Sequence, residues 1–305
     1  MRRERIIAEI AREEQRLAEL RSEIEERNLR LTALRDELES LPAEQTEISR
    51  QAPRPVVPVP TSKLEKIVLF RSLFRGREDV FPRRWENSKT AKSGYSPACA
   101  NEWEYGLCDK KTRSRANRRT TCGECPNQAF VPVTDEEIAK HLKGHQVMGV
   151  YPLLQDETCW FLAADFDGKT WREDLGAFVE TCKTHAIAVA IERSRSGNGA
   201  HAWFFFAAPV TAAGARKLGC FLITETMARR HQLSVTSYDR LFPNQDTMPK
   251  GGFGSLIALP LQRDARQHDN SVFVDDAFHP YPDQWAFLAG VPRLDPAFVR
   301  ALSNE

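Results

Sequence analysis

No run of apolar residues in this chain approaches the roughly 18 that a membrane span requires. The opening Met1-Arg2-Arg3-Glu4 carries no apolar core of an export signal. Both absences lead to the expectation of a cytoplasmic protein without a membrane partner. A dominant charge is missing too: 43 Lys and Arg stand against 42 Asp and Glu, a formal +1 over 305 residues. That balance argues against a uniformly basic coat for nucleic acid, although an average hides a local basic face. There is no sign of a disulfide framework. Seven cysteines, an odd number unevenly spaced, suit reduced thiols or metal ligands better. Internal repeats are absent, and so is a Gly-x4-Gly-Lys-Ser/Thr phosphate loop. What is present, 41% hydrophobic and 28% charged residues, is a globular composition, enough for one large domain or two ordinary ones with appendages.

The chain divides into four stretches. Residues 1–41 read as one helix without internal Gly or Pro, about 60 Å long. Ile10, Leu17, Ile24, Leu31 and Leu38 recur every seven residues, with Ile6, Leu20, Leu34 and Leu41 at the companion position, which Glu13 and Arg27 interrupt. Such a seam needs a partner helix, so a coiled coil and self-association are expected. Residues 42–60 hold five prolines and read as a semi-rigid linker. Residues 61–135 are basic, aromatic and cysteine-bearing. Their segment Asp109–Arg119 holds Lys110, Lys111, Arg113, Arg115, Arg118 and Arg119 against one acid. Residues 136–305 form the expected catalytic core. In it, strands are expected at Trp160–Asp165, Ile187–Glu192, His201–Ala207, Ser234–Asp239 and Ser255–Pro260. Helices are expected at Trp171–His185 and Ala212–His231. This is a β-α-β-β-α-β order of the ferredoxin-like or RNA-recognition type, plus one strand. The fold class is therefore α+β.

Cys99, Cys108, Cys122 and Cys125 lie within 27 residues. Cys122-Gly123-Glu124-Cys125 reads as a knuckle whose Gly lets both thiolates face one ion, and four thiolates suit a structural Zn2+. The basic run between the second and third cysteines would then be a braced cationic loop. Cys159, Cys182 and Cys220 fall in apolar patterns and read as core. Asp165-Phe166-Asp167 ends a strand, and residues i and i+2 share a face, so the pair could grip Mg2+ or Mn2+. Glu192-Arg193-Ser194-Arg195-Ser196-Gly197-Asn198-Gly199-Ala200-His201 joins two strands and has the hydroxyls, amide, glycines and cations that a triphosphate needs. In this topology the strand order is fourth-first-third-second. The Asp pair, His201 and the Asp239/Asp246 stretch therefore fall on three neighbouring strands.

The Asp165-Phe166-Asp167 and Glu192–His201 stretches, with Tyr238-Asp239-Arg240-Leu241-Phe242-Pro243-Asn244-Gln245-Asp246 and the following Gly251-Gly252-Phe253-Gly254, resemble the three-motif active site of the archaeo-eukaryotic primase superfamily. The likeness is to the primase-polymerase branch of TOTE conflict systems and CRISPR-associated primase-polymerases, over about residues 95–290. It implies a DNA primase-polymerase that transfers nucleotides from nucleoside triphosphates to a 3′-hydroxyl on a single-stranded DNA template and primer, using two Mg2+ or Mn2+ ions. By the same resemblance Asp165 and Asp167 would ligate metal. His201 and Ser196 would hold phosphates, with Arg195, Asn198 and Gly199 as loop contacts. Asp246, nearer the Gly-rich segment, is taken as the third carboxylate, with Asp239 in reserve. Family members often continue into a helicase and a nuclease, so those activities are expected on other chains or beyond this one. Two readings compete. One is a non-catalytic zinc-braced single-strand binder, for which Trp85, Tyr95, Trp103 and Tyr105 could stack on bases. The other is a metal-dependent nuclease using the same carboxylates.

Overall fold

The computed structural model describes residues 2–40, 58–108, 110, 121–229 and 237–304. Most of the expected linker (42–57), most of the basic loop (109 and 111–120) and the start of the expected fourth strand (234–236) lie outside the described residues. Two compact units are distinguished, residues 1–47 and 48–305. In the first, α1 (Arg2–Ser40) is one unbroken helix. Leu17, Ile24 and Leu29 are more than half exposed on it, and Leu20 is exposed as well.

The second unit is built on a five-stranded sheet whose strands lie in the order Tyr238–Phe242, Thr158–Asp167, Gly199–Thr211, Ala190–Arg193 and Val272–Val274. The strands are β4 (Thr158–Asp167), β5 (Ala190–Arg193), β6 (Gly199–Thr211), β7 (Tyr238–Phe242) and β9 (Val272–Val274). The first four strands in sequence thus lie fourth-first-third-second. The fifth place belongs to Val272–Val274 and not to the expected Ser255–Pro260. That stretch supplies only β8 (Ile257–Ala258), which pairs with β3 (Gly149–Val150) in a separate ladder.

Alternation along the strands gives the sheet two apolar faces. Leu162, Ala164 and Phe166 of β4 and Ala202, Phe204 and Phe206 of β6 point to one. That face is covered by α4 (Trp171–Thr184) and α5 (Ala212–Arg229). On α4 the buried Trp171, Leu175, Phe178 and Cys182 recur at helical spacing, each large apolar side chain contributing about 1.5–3 kcal/mol by burial. Gly219 lets α5 approach β7 closely, since a Cβ there would stand 2.7 Å from Leu241. The other face carries Phe161 and Ala163 of β4 and Trp203 and Phe205 of β6, covered by Phe70 and Phe74 from the end of α2 (Lys63–Leu73). A capping box starts α2: Ser62 accepts from the Glu65 amide, and the Glu65 carboxylate accepts from the Ser62 amide.

A hairpin of β1 (Pro82–Asn87) and β2 (Lys92–Pro97) precedes the cysteine-bearing segment, and α3 (Asp135–Leu142) follows it. Cys159 and Cys182 are buried as expected. Cys220 is exposed: the buried positions of α5 include Ala215, Leu218, Gly219 and Leu222, and residue 220 turns away from them. No helix among the described residues is long and apolar enough to cross a membrane.

Candidate active site

The second apolar face stops at the Asp end of β4, where the same alternation that buries Phe161 and Ala163 presents Asp165 and Asp167. Asp165 stands opposite His201 on β6 and opposite Arg240 on β7. The register then slips, with Asp165 against Arg240 but Phe166 against Tyr238. Asp239 is the extra residue of a β-bulge. Without the bulge, Asp239 would pair with Phe166 and be driven into the helix-covered core. With it, the Tyr238 ring packs on Phe166, centroids 6.1 Å apart, and Asp239 is turned out. The bulge is held by the Asp167 amide donating to Ser237 O at 2.7 Å. The buried Asp174 of α4 fixes Ser237 in turn, accepting from its amide at 3.1 Å and its hydroxyl at 2.7 Å.

The result is a cavity of about 820 Å³ lined by Asp167, Gly168, Lys169, Trp171, Asn198, Ser237, Tyr238 and Asp239. Burial pushes the Asp165 carboxyl above its ordinary range; the charges of Asp167 and Asp239 push the same way, and His201 and Arg240 pull against them. Three carboxylates thus stand at one end of the sheet, and one of them is paired: Asp239 Oδ2 accepts from Arg240 Nε at 2.7 Å. Asp246, expected as the third carboxylate, does not line this cavity; its half-exposed carboxylate pairs with Arg216 on α5. The reserve position, Asp239, is the one brought to Asp167.

Arg193 to Ala200 closes the turn between β5 and β6, with the Ser194 amide donating to Gly199 O at 2.9 Å. Gly197 has φ +78°, and a Cβ at Gly199 would fall 2.5 Å from Phe166 O and 2.8 Å from Asp167 Oδ1. Both glycines are thus required by backbone shape and close approach. Ser196 Oγ accepts from the Asn198 amide at 3.3 Å, and Asn198 reaches the cavity. Arg195 is turned towards the β1–β2 hairpin, where it hydrogen-bonds the Tyr95 hydroxyl close to Arg84. Burial holds that phenol above its ordinary pKa against the pull of both guanidinium groups.

His201 is positioned by a residue that the motif reading passes over. Glu192, only 2% exposed, lies opposite it on β5. Its Oε2 accepts from His201 Nδ1 at 2.7 Å and from Trp203 Nε1 at 3.0 Å. Its Oε1 accepts from Ser271 Oγ at 3.4 Å. This leaves His201 Nε2 facing Asp165 Oδ1 at 3.6 Å. Burial alone would lower the imidazole pKa; Glu192, then Asp165 and Asp167, outweigh it and raise the value. The only sequence signal for Glu192 is its place in the hairpin register, counted outward from the turn. Lys169 is also missed, being one residue past the Gly168 turn.

The four expected zinc ligands Cys99, Cys108, Cys122 and Cys125 line one small cavity with Phe130 and Asn127. The Ala129 amide donates to Cys99 Sγ at 3.4 Å. Among the described residues, no group of three or more His, Cys, Asp or Glu side chains is arranged closely enough to hold a metal as the side chains stand. Gly123 has a different use from the one the spacing suggests. A Cβ there would lie 2.3 Å from Gly251 O, so the knuckle docks backbone-to-backbone on the Gly-rich segment, and Thr121 Oγ1 donates to the same carbonyl at 2.8 Å.

A comparison with curated proteins finds no match. Among solved structures the chain is similar to the polymerase domain of Mycobacterium tuberculosis Ligase D in complex with DNA, at 14% identity over 84% of this chain and 94% of that one, with a TM-score of 0.38. The family model for the archaeo-eukaryotic primase domain of the TOTE conflict system matches residues 65–302. That span takes in the cysteine segment, the two-faced sheet and the three carboxylates, and the chain belongs to this archaeo-eukaryotic primase family of TOTE conflict systems.

Proposed function

We propose that this nucleotidyltransferase is a DNA primase-polymerase that joins nucleoside triphosphates to a 3′-hydroxyl along a single-stranded template. One observation carries the reading: the bulge in β7 turns Asp239 out beside Asp167, on the strand that also carries the half-buried Asp165. Asp165, Asp167 and Asp239 would hold Mg2+ or Mn2+, with Asp239 taking the place expected for Asp246. Bound there, the ions would supply activation of the hydroxyl and neutralisation of the departing pyrophosphate. The β4-α4-β5-β6-α5-β7 core serves as an RNA-recognition-like platform.

The remaining roles belong to the chain's own side chains. His201 Nε2, aimed by Glu192, donates to a phosphate oxygen of the incoming nucleotide. Ser196, Asn198 and the Gly199 backbone shape the same phosphate pocket, Lys169 adds positive charge at its rim, and Arg195 anchors the loop to Tyr95. The four cysteines hold a structural Zn2+; their shared cavity and the amide donated to Cys99 suit thiolate ligands. The helix α1 pairs with a second copy as a coiled coil.

The test is incorporation of labelled nucleotide on a primed single-stranded template with Mn2+ or Mg2+. Product is expected from the native chain and none from Asp165→Ala/Asp167→Ala. No product from the native chain, or cleavage of the template without added nucleotide, refutes the proposal.

A further inference from the structure

Base-stacking sites have a simple physical requirement: an aromatic ring with one face supported and the other open to solvent, near positive charge. Two indoles, one on the β1–β2 hairpin and one in the segment that follows it, meet it. Trp85 on β1 lies opposite Gly94 on β2. A Cβ at Gly94 would stand 2.9 Å from the Trp85 ring, so glycine lets the indole lie flat on the hairpin backbone, while the residue stays 38% exposed. Trp103 is 50% exposed, with the Lys110 ammonium 5.3 Å from its ring centroid.

Trp103 is also presented at a cost. It has φ +69°, a left-handed conformation that bulky residues seldom adopt. The preceding Glu102 holds it there. That largely buried carboxylate accepts from Arg83 Nη2 at 2.8 Å, Ser96 Oγ at 2.8 Å and Lys110 Nζ at 2.7 Å. Arg83 and Ser96 pair across the hairpin, two residues along the same face from Trp85 and Gly94, so Trp85 and the Glu102 carboxylate that precedes Trp103 share one side of β1–β2. The opposite side carries Arg84 and Tyr95, the partners of Arg195 in the nucleotide loop. The sequence immediately beyond Trp103 supplies six basic residues against one acid between Asp109 and Arg119, which complements a polyanion.

We infer that Trp85 and Trp103 form a stacking surface for unpaired bases of single-stranded nucleic acid, with the hairpin between this surface and the nucleotide loop. The inference rests on the template-directed reading and gives it a specific template contact. Tyr95, grouped with these aromatics by sequence, is excluded, because it lies on the other face of the hairpin with its hydroxyl held by Arg195.

The experiment measures fluorescence anisotropy of a labelled single-stranded oligodeoxythymidine, without nucleotide or divalent metal, against the full chain. A strand of equal length with abasic sugars and the same phosphates is the control. Trp85→Ala and Trp103→Ala should each weaken oligodeoxythymidine binding about tenfold, and about a hundredfold together, with the abasic strand little affected. Trp85→Phe/Trp103→Phe should recover most of the affinity, which covers the case of an alanine variant that misfolds. Unchanged affinity in both double variants overturns the inference, as does equal loss for the base-bearing and abasic strands. If the alanine pair instead dissolves a native assembly and leaves oligonucleotide affinity intact, the surface belongs to a second copy of this chain and the inference falls. Failure of nucleotide incorporation by the native chain would sink the enzymatic proposal while leaving this binding result readable on its own.

Discussion

Replacing Glu192 tests whether its carboxylate aims His201 or only fills the core. Alanine removes the acceptor for His201 Nδ1, Trp203 Nε1 and Ser271 Oγ together. Orphaned buried donors cost about 1–3 kcal/mol each. Glu192→Ala should therefore lose roughly 3–9 kcal/mol, a large part of the ~5–15 kcal/mol that holds a domain folded. Glutamine is the informative change, because it keeps the volume and one carbonyl acceptor between His201 and Trp203 while removing the charge. Losing one charge-assisted hydrogen bond of about 1.5 kcal/mol corresponds to about tenfold in kcat/KM. In a primer-extension assay the loss should fall on nucleotide KM, since the proposed partner of His201 is the incoming phosphate. The decisive measurement is the double variant. In a His201→Ala background Glu192→Gln should add little, because its only route to the substrate is gone. A full tenfold penalty in both backgrounds, or no penalty in either, would refute the positioning role.

Other outcomes follow from the same geometry. Asp239→Asn should lower incorporation by more than the 10–100-fold typical of a residue that merely supports a metal ligand. Asp246→Asn should cost less than tenfold, since it breaks an exposed pair with Arg216 worth about 0–1 kcal/mol; equal losses would return the third carboxylate to Asp246. Metal analysis of the purified chain should give about one Zn per chain, and a folded, metal-free protein removes that site. Deleting residues 1–41 should reduce the solution mass to that of a monomer, and an unchanged number of chains per particle refutes the coil. Burial pushes the His141 imidazole down to about 4. Its Nε2–H donates to Pro260 O at 2.9 Å and its Nδ1 accepts from the Met148 amide at 3.1 Å, so the folded state wants it neutral. The unfolded chain binds that proton from about pH 6.5, so this contribution, about 3 kcal/mol, is complete above pH 6.5 and is lost as pH falls towards 4. Chemical denaturation at pH 7 and pH 4.5 should show the loss, and His141→Leu should flatten that part of the profile.

The strands bearing Asp165, Asp167 and His201, and their order in the sheet, are legible because alternation and turn residues are local signals. Which later acid comes to lie beside Asp167 is not. Choosing between Asp239 and Asp246 needs the pairing of β7 on β4, and a bulge leaves no mark in the composition of Tyr238-Asp239-Arg240. Glu192 reads as an ordinary polar strand residue until the hairpin places it against His201, and Ser271, some eighty positions later, joins it only in three dimensions. Cys220 shows the converse: an apolar neighbourhood in sequence says little about which side of α5 faces the sheet.

The docking of Gly123 on Gly251 has a kinetic consequence. Thr121 and Gly251 are 130 residues apart, and bringing the ends of so long a segment together costs about 4 kcal/mol in chain entropy before any contact repays it. That contact should form late, after the sheet between the two segments has assembled. Metal bound at the cysteines would then strengthen an interaction absent from the folding transition state. A chelator would be felt as faster unfolding with the refolding rate unchanged, so the knuckle would set how long the assembled molecule lasts and not how quickly it is made.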